Sequence, residues 1–207
     1  MKMAVIGATR GIGLALVRTA LADGHDVSAL VRDASKMPPL PGNLRVVVGN
    51  AENARDVRDF VEGQEVVCDC LGTGKVTQKI TMFSRSAENL AAALKPEQLL
   101  IAVTGIGTGD SKGSGGFLYD KLFMPIVLKR MYADKDVQEQ IIKSRIARWI
   151  IVRPGFLTNG PHTGKYRALV DLRGIKGGKI SREDVADFML REAKSPGFLN
   201  QTPLLIY

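Results

Sequence analysis

The sequence predicts an α/β domain with a doubly wound, mainly parallel sheet and helices on both faces. Three observations lead there. An apolar strand at Met3–Ile6 runs straight into a glycine-rich turn and a helix. Further short apolar runs alternate with helical sequence, the order that builds parallel sheets through crossover connections. Those runs are apolar at nearly every position, as strands covered on both faces must be.

The first helix spans about Gly11–Ala22, where Ile12, Leu16 and Ala20 recur beside Val17 and Leu21 at helical spacing, and Gly24 stops it. Val27–Val31 is the second strand. Pro38-Pro39-Leu40-Pro41-Gly42 is too proline-rich for a long helix, so a loop leads to the third strand at Arg45–Val48. A helix at Ala54–Phe60 precedes a fourth strand at Val66–Leu71, and a helix at Met82–Leu94 precedes a fifth at Leu99–Val103. A glycine-rich loop, Gly105–Gly116, leads to helical sequence at Leu118–Met131 and again at Asp134–Ser144. The sixth strand, Trp149–Val152, is ended by Arg153-Pro154-Gly155, since proline lacks a donor and glycine admits a sharp turn. Beyond it lies a small C-terminal, substrate-facing extension with a short strand within Tyr166–Leu172. Ser181-Arg182-Glu183-Asp184 has the form of a capping box, with Asp184 in place of the usual Glu or Gln. The helix it opens buries Val185, Phe188 and Met189, and Pro203–Ile206 is the last strand.

A chain of 207 residues without a long Pro/Ser/Gly linker is expected to form a single domain, 1–207. Apolar residues make up 45% and charged residues 24%, and no segment has the ~20 unbroken apolar residues a membrane span needs. A strand pattern stands where a signal peptide would begin, so the expected location is cytoplasmic. The net charge of +8 is scattered rather than gathered into a recognition helix or an aromatic-basic stripe, which argues against nucleic acid. No membrane partner is expected either, and the chain is expected to be a monomer or weak homodimer. Cys68 and Cys70, with one residue between them, are expected on opposite faces of a strand and unbridged. With two histidines, no metal site is expected.

The chemistry begins at Gly7-Ala8-Thr9-Arg10-Gly11-Ile12-Gly13, whose glycines are spaced G-x-x-x-G-x-G. Gly7 lets the chain turn out of the strand, Gly11 lets backbone approach a diphosphate, and Gly13 lets the helix press against the sheet. Open amides and the positive end of the helix dipole then face the phosphates. The same glycines would serve a ligand-free turn, but a strand before and a helix after favour a dinucleotide cradle. No Gly-Lys-Ser/Thr follows, which excludes a nucleotide-triphosphate loop. At the end of the second strand, where an enzyme selective for NAD places an acidic residue, the chain offers Arg32. Its guanidinium suits the extra phosphate of NADP(H), with Lys36 and Arg10 adding positive charge. Asp33 opposes that preference only if it turns toward the ribose.

With Leu30-Val31-Arg32-Asp33, Val46-Val47-Val48-Gly49-Asn50, Leu71-Gly72-Thr73, the Pro154 turn and Ile180 through Leu190 added in order, the chain resembles the atypical short-chain dehydrogenase/reductase superfamily. The resemblance is to its small NAD(P)H-binding members of the biliverdin-IXβ reductase, or flavin reductase, and NmrA-like kind. It covers essentially the full length and implies a Rossmann fold. It implies that Arg32 meets the adenosine phosphate, that Gly49 and Asn50 lie beside the adenine, with Asn50 replacing the family's usual Asp, and that Leu71-Gly72-Thr73 line the cleft. It also implies that Thr104 lies near the nicotinamide. Two departures stand out. Tyr119 and Tyr132 are each followed four residues on by Phe123 and Asp136, so the Tyr-x-x-x-Lys motif is missing. Phe156 occupies the place of the histidine that biliverdin-IXβ reductases carry after the proline turn.

Pocket candidates are therefore Lys135, Phe156, Tyr119 and Thr104. Lys135 reads either as a polar group over the pocket or as a solvated helix lysine; Phe156 either stacks on a planar ring or packs beneath a flap at 157–165. His162 reads as a surface turn residue and His25 as remote. The expected activity is an NADPH-dependent reductase giving hydride to a small planar redox acceptor such as free flavin or a quinone. The alternative is a non-catalytic NADP(H)-binding redox sensor with a protein partner.

Overall fold

A computed structural model of the chain describes residues 1–73, 80–111 and 129–207. Strands β1 (Lys2–Ile6), β2 (Asp26–Val31), β3 (Leu44–Val48), β4 (Val66–Asp69), β5 (Leu99–Val103) and β6 (Trp149–Pro154) pair in parallel. With β10 (Leu204–Ile206) parallel to β6 and β8 (Arg167–Leu169) antiparallel at the edge, the sheet order is β3-β2-β1-β4-β5-β6-β10-β8. The chain leaves β1 toward β2 and β3 and returns to place β4 on the other side. This reversal opens a crevice at the carboxyl ends of β1 and β4.

Alternation along β1 sorts the core. Met3 and Val5 face the layer built with α1 (Gly11–Ala22) and α5 (Arg182–Lys194), while Ala4 and Ile6 face the other layer. That second layer holds α2 (Ala54–Val61), α3 (Met82–Ala93) and α4 (Lys129–Arg145). Full burial of a Val, Leu or Ile side chain contributes about 1.5–3 kcal/mol, and both layers consist largely of such residues. The doubly wound, mostly parallel sheet with helices on both faces is thus the one the sequence predicts.

Several local expectations need correction. Cys68 and Cys70 lie on the same face, because a strand alternates with period two; both border the α1/α5 core layer, and both thiols are free. The fourth strand stops at Asp69 rather than Leu71, although the Cys70 amide still donates to the Ile6 carbonyl. No break separates Met131 from Asp134, since α4 is continuous from Lys129; the rest of the expected helix at Leu118–Met131 lies outside the described residues. The strand expected within Tyr166–Leu172 is only Arg167–Leu169. A two-stranded parallel sheet of β7 (Phe156–Thr158) and β9 (Lys179–Ser181) was not expected, and it makes the small extension an excursion between β6 and α5.

The start of α5 forms half of the expected capping box. The Ser181 hydroxyl accepts from the Asp184 amide at 3.0 Å, but the Asp184 carboxylate does not return to Ser181. Tyr207 replaces that return: its hydroxyl accepts from the Ser181 amide at 3.0 Å and donates to Asp184 at 2.7 Å. Asp184 is thereby left to accept from the Thr163 and Gly164 amides at 2.8 and 2.9 Å, which ties the flap to the helix. Burial alone would raise the Asp184 carboxyl, yet the Thr163 amide, the Tyr207 hydroxyl and the Gly164 amide hold it at about 2.

Candidate cofactor cleft and active site

A cleft of about 1100 Å³ opens at the carboxyl ends of the parallel strands. That lies just above the range of small-ligand pockets, roughly 300–1000 Å³. Its floor is the turn after β1. Gly7 has φ +81°, and a Cβ there would stand 2.7 Å from the Cys70 carbonyl oxygen. Gly13 would place one 2.2 Å from the Gly7 carbonyl oxygen, so it serves the close fold of the turn and does not itself line the cleft. Gly11 has φ +61° but open space, the nearest atoms being Arg182 side-chain atoms at 3.8 Å.

The amino end of α1 is chemically incomplete. Arg10 at its N-cap makes no side-chain capping bond and the first turn has no acidic residue, whereas Asn53 caps α2 and Ser181 caps α5. Gly11 and Ile12, which begin α1, border the cleft, so the helix's open donors and positive dipole end face it. A diphosphate fits that arrangement.

At the far end of the floor, Arg10, Arg32 and Lys36 line the cleft. Arg10 and Arg32 are exposed and have no carboxylate partner among the described residues, while Lys36 lies 3.6 Å from Asp33. Asp33 does not line the cleft. Its carboxylate caps a short 3₁₀ turn, accepting from the Ser35 amide at 3.0 Å and the Ser35 hydroxyl at 2.6 Å. Gly49 and Asn50 form the adjoining wall, where the Asn50 amide donates to Asp56 at 2.8 Å and the Asn50 side chain accepts from the Glu52 amide at 3.1 Å. Thr9, Leu71, Gly72, Thr73 and Pro154 border the same cleft.

The other end combines apolar surface with a buried cation. Met82, Met131, Phe156 and Leu157 line it, with Thr104 and Lys135 behind. Phe156 is 67% exposed, so it does not pack beneath the flap. Lys135 is not a solvated helix lysine: it is 4% exposed, its Nζ donates to the Val103 carbonyl at 2.9 Å and lies 4.1 Å from the centre of the Phe83 ring. Burial pushes its ammonium down to about 8, although Asp69, Glu139 and Asp134 oppose the shift. Asp69, buried behind it, accepts from Ser86 at 3.1 Å and Gln138 at 3.2 Å; burial raises its carboxyl against these bonds and the Lys135 charge. The Thr104 hydroxyl donates to Glu139 at 2.8 Å.

Of the expected site residues, the cleft gathers all but Gly13 and Tyr119, the latter lying outside the described residues. His162 is exposed and outside the cleft, 3.4 Å from Asp187; His25 Nε2 lies 3.3 Å from Asp23 in the turn after α1. Burial raises both cysteine thiols, which therefore lack thiolate character at neutral pH. Among the described residues no group of three His, Cys, Asp or Glu side chains could hold a metal, and no helix is long and apolar enough to cross a membrane.

Sequence reasoning missed Tyr132, Met82, Met131, Asn159 and Arg182, all of which line the cleft. Tyr132 lacks a lysine four residues on, but residues three apart on a helix share a face as residues four apart do, and Tyr132 and Lys135 both border the cavity. Arg182 carried no comparable signal, because its place depends on α5 docking against α1.

A crevice at the reversal of a parallel sheet, floored by a glycine turn and an open helix end, defines a dinucleotide-binding protein of the Rossmann type. The chain belongs to the NAD(P)H-binding family, whose sequence profile matches residues 7–196. It is 27% identical over 195 residues to an uncharacterized sugar epimerase, YhfK, of Bacillus subtilis (strain 168), covering 90% of this chain and 85% of that one. Its fold matches ChuY, an anaerobillin reductase from Escherichia coli O157:H7, with TM-score 0.79 and 22% identity over 100% of this chain and 97% of the other. It also matches the oxidoreductase ylbE from Lactococcus lactis, with TM-score 0.84 and 18% identity over 100% and 90% of the two chains. SP1627 of Streptococcus pneumoniae TIGR4, a candidate NADH-flavin reductase, superposes with TM-score 0.79 and 21% identity over 100% and 99%. The fold is that of the atypical short-chain dehydrogenase/reductases that the sequence resembles.

Proposed function

We propose that the chain is an NADPH-dependent reductase of a small planar acceptor such as free flavin or a quinone. The observation that carries the reading is the composition of the cleft's two ends: Arg10 and Arg32, without a carboxylate partner among the described residues, at one, and an apolar lip of Phe156, Leu157, Met82 and Met131 at the other. Bound NADPH would supply the hydride, and the protein's part is to bind, orient and shield. Gly11 and Ile12 would hold the diphosphate by backbone amides, and Arg32 would take the adenosine phosphate by its planar fork while Asp33 stays committed to Ser35. Gly49 and Asn50 would flank the adenine, and Thr104 with Pro154 would bound the nicotinamide end. Phe156 offers an exposed ring face on which a flat acceptor can stack. Lys135 holds an ammonium proton at that end, with burial lowering its pKa to about 8.

The fold's appearance in reductases supports this reading. The epimerase name of the Bacillus subtilis relative raises another, but that chemistry asks for the missing Tyr-x-x-x-Lys pair and a larger substrate lobe than the excursion between β6 and α5. Loss of NADPH absorbance should be followed with free flavin, a quinone, small carbonyl compounds and a nucleotide-sugar control. Oxidation with flavin or quinone above the buffer rate is expected. Tight NADP(H) binding with no turnover of any acceptor would overturn the reductase and favour the redox sensor.

A further inference from the structure

Arg182 is the first residue of α5, fixed there by the Ser181 cap and by Arg18, which pairs with Glu183 at 2.9 Å across the α1/α5 contact. Its half-buried side chain lines the cleft. Cδ and Nε lie 3.8 Å from where a Gly11 Cβ would be, and Nη1 donates to Asn159 Oδ1 at 2.6 Å. Asn159 follows β7 on the flap and also lines the cleft. One guanidinium therefore spans from the uncapped start of α1 to the flap.

We propose that Arg182 is a diphosphate clamp: it adds a cation to the open amides of α1, and its bond to Asn159 couples occupancy of that subsite to the position of the flap. The inference rests on the dinucleotide reading of the cleft but not on the acceptor or on turnover. Three features carry it. The α1 terminus has no acidic residue of its own to balance its dipole, Arg182 has no carboxylate partner among the described residues, and Asn159 occupies only part of its donor set. The clamp lies near Gly11, whereas Arg32 lies at the end of β2, so the two arginines read different phosphates. Arg182 reads the diphosphate that NADP and NAD share; Arg32 reads the phosphate that only NADP carries.

Calorimetric titration of the full chain with NADP⁺, NAD⁺ and ADP-ribose tests this. Arg182→Gln should weaken all three by similar factors, about tenfold or more. Arg32→Gln should weaken NADP⁺ alone, and Asn159→Ala should reproduce a smaller loss for all three. Thermal unfolding of each variant within a few degrees of the parent confirms that the effect is local. ADP-ribose binding unchanged in Arg182→Gln would overturn the clamp, as would a loss confined to the KM of the acceptor. A parent chain that binds none of the three ligands would overturn the dinucleotide reading itself, a result distinct from either.

Discussion

Arg153 and Glu139 form a two-point ion pair inside the protein: Nη2 lies 2.6 Å from Oε2 and Nε 3.0 Å from Oε1, with the side chains 0% and 2% exposed. The pair joins α4 to β6 one residue before Pro154, and the Thr104 and Thr108 hydroxyls donate to the same carboxylate at 2.8 and 2.7 Å. It is thus the strut beneath the inner end of the cleft. Burial alone would raise the Glu139 carboxyl; Arg153 and the two hydroxyls hold it at about 2 instead.

Breaking that strut should be costly. Glu139→Gln removes the buried carboxylate charge that faces the Arg153 guanidinium, and since breaking a buried pair costs about 3–5 kcal/mol, a loss of that order is expected in urea unfolding. Replacing both partners with apolar residues of similar volume should cost less than the single change.

The same pair sets an acid limit. Because the folded pKa of Glu139 is lowered from 4.5 to about 2, its contribution is complete above pH 4.5 and is lost as pH falls through about 2. Asp184, lowered from 3.8 to about 2, acts in the same window. Urea midpoints measured from pH 5 down to pH 2 should fall, and fall less in Glu139→Gln.

Lys135 acts in the opposite range. Its folded pKa, about 8 against 10.5, means that the folded chain gives up a proton the unfolded chain keeps, so this group's contribution to stability rises between those values. Lys135→Met should remove that rise. If the ammonium serves turnover, activity should decline as pH rises through about 8 in the parent and lose that limb in the variant.

The glycines of the turn should separate by mechanism. Gly13→Ala and Gly7→Ala place a Cβ 2.2 and 2.7 Å from backbone oxygen, and both should destabilise the fold and abolish cofactor binding. Gly11→Ala meets no obstacle and strains only φ, so its stability cost should be about 1–2 kcal/mol by thermal unfolding. Gly11→Val should in addition obstruct NADP⁺ and NAD⁺ alike in the calorimetric titration.

Much of the fold was legible because its signals are local. A strand, a glycine turn and an amphipathic helix follow one another within Met3–Ala22, and apolar runs mark the other parallel strands. Most of the cleft was legible as well: Gly7 and Arg32 follow from residue type and position, while Gly49, Leu71, Thr104 and Pro154 were implied by the family resemblance, and the strand ends of a parallel α/β sheet bring all of them to one side. The β7/β9 pair was not legible, since two three-residue strands separated by twenty residues carry no periodicity of their own. The same-face geometry of Cys68 and Cys70, against the opposite faces expected of them, follows from strand alternation.

The parallel sheet, the glycine turn after β1 and the absence of Tyr-x-x-x-Lys could be read from the chain alone, because each depends on residue type at close spacing. Which polar groups are buried, and with whom, emerged from the packing of distant segments. Lys135 became a desolvated cation rather than a surface lysine when α4 settled over β5, and Arg153 met Glu139 where that helix faces β6. Arg182 reached the glycine turn because α5 docks on α1, bringing residues 11 and 182 within contact across most of the chain. Burial and ion pairing are properties of packed neighbours, and those neighbours come from distant segments of the chain.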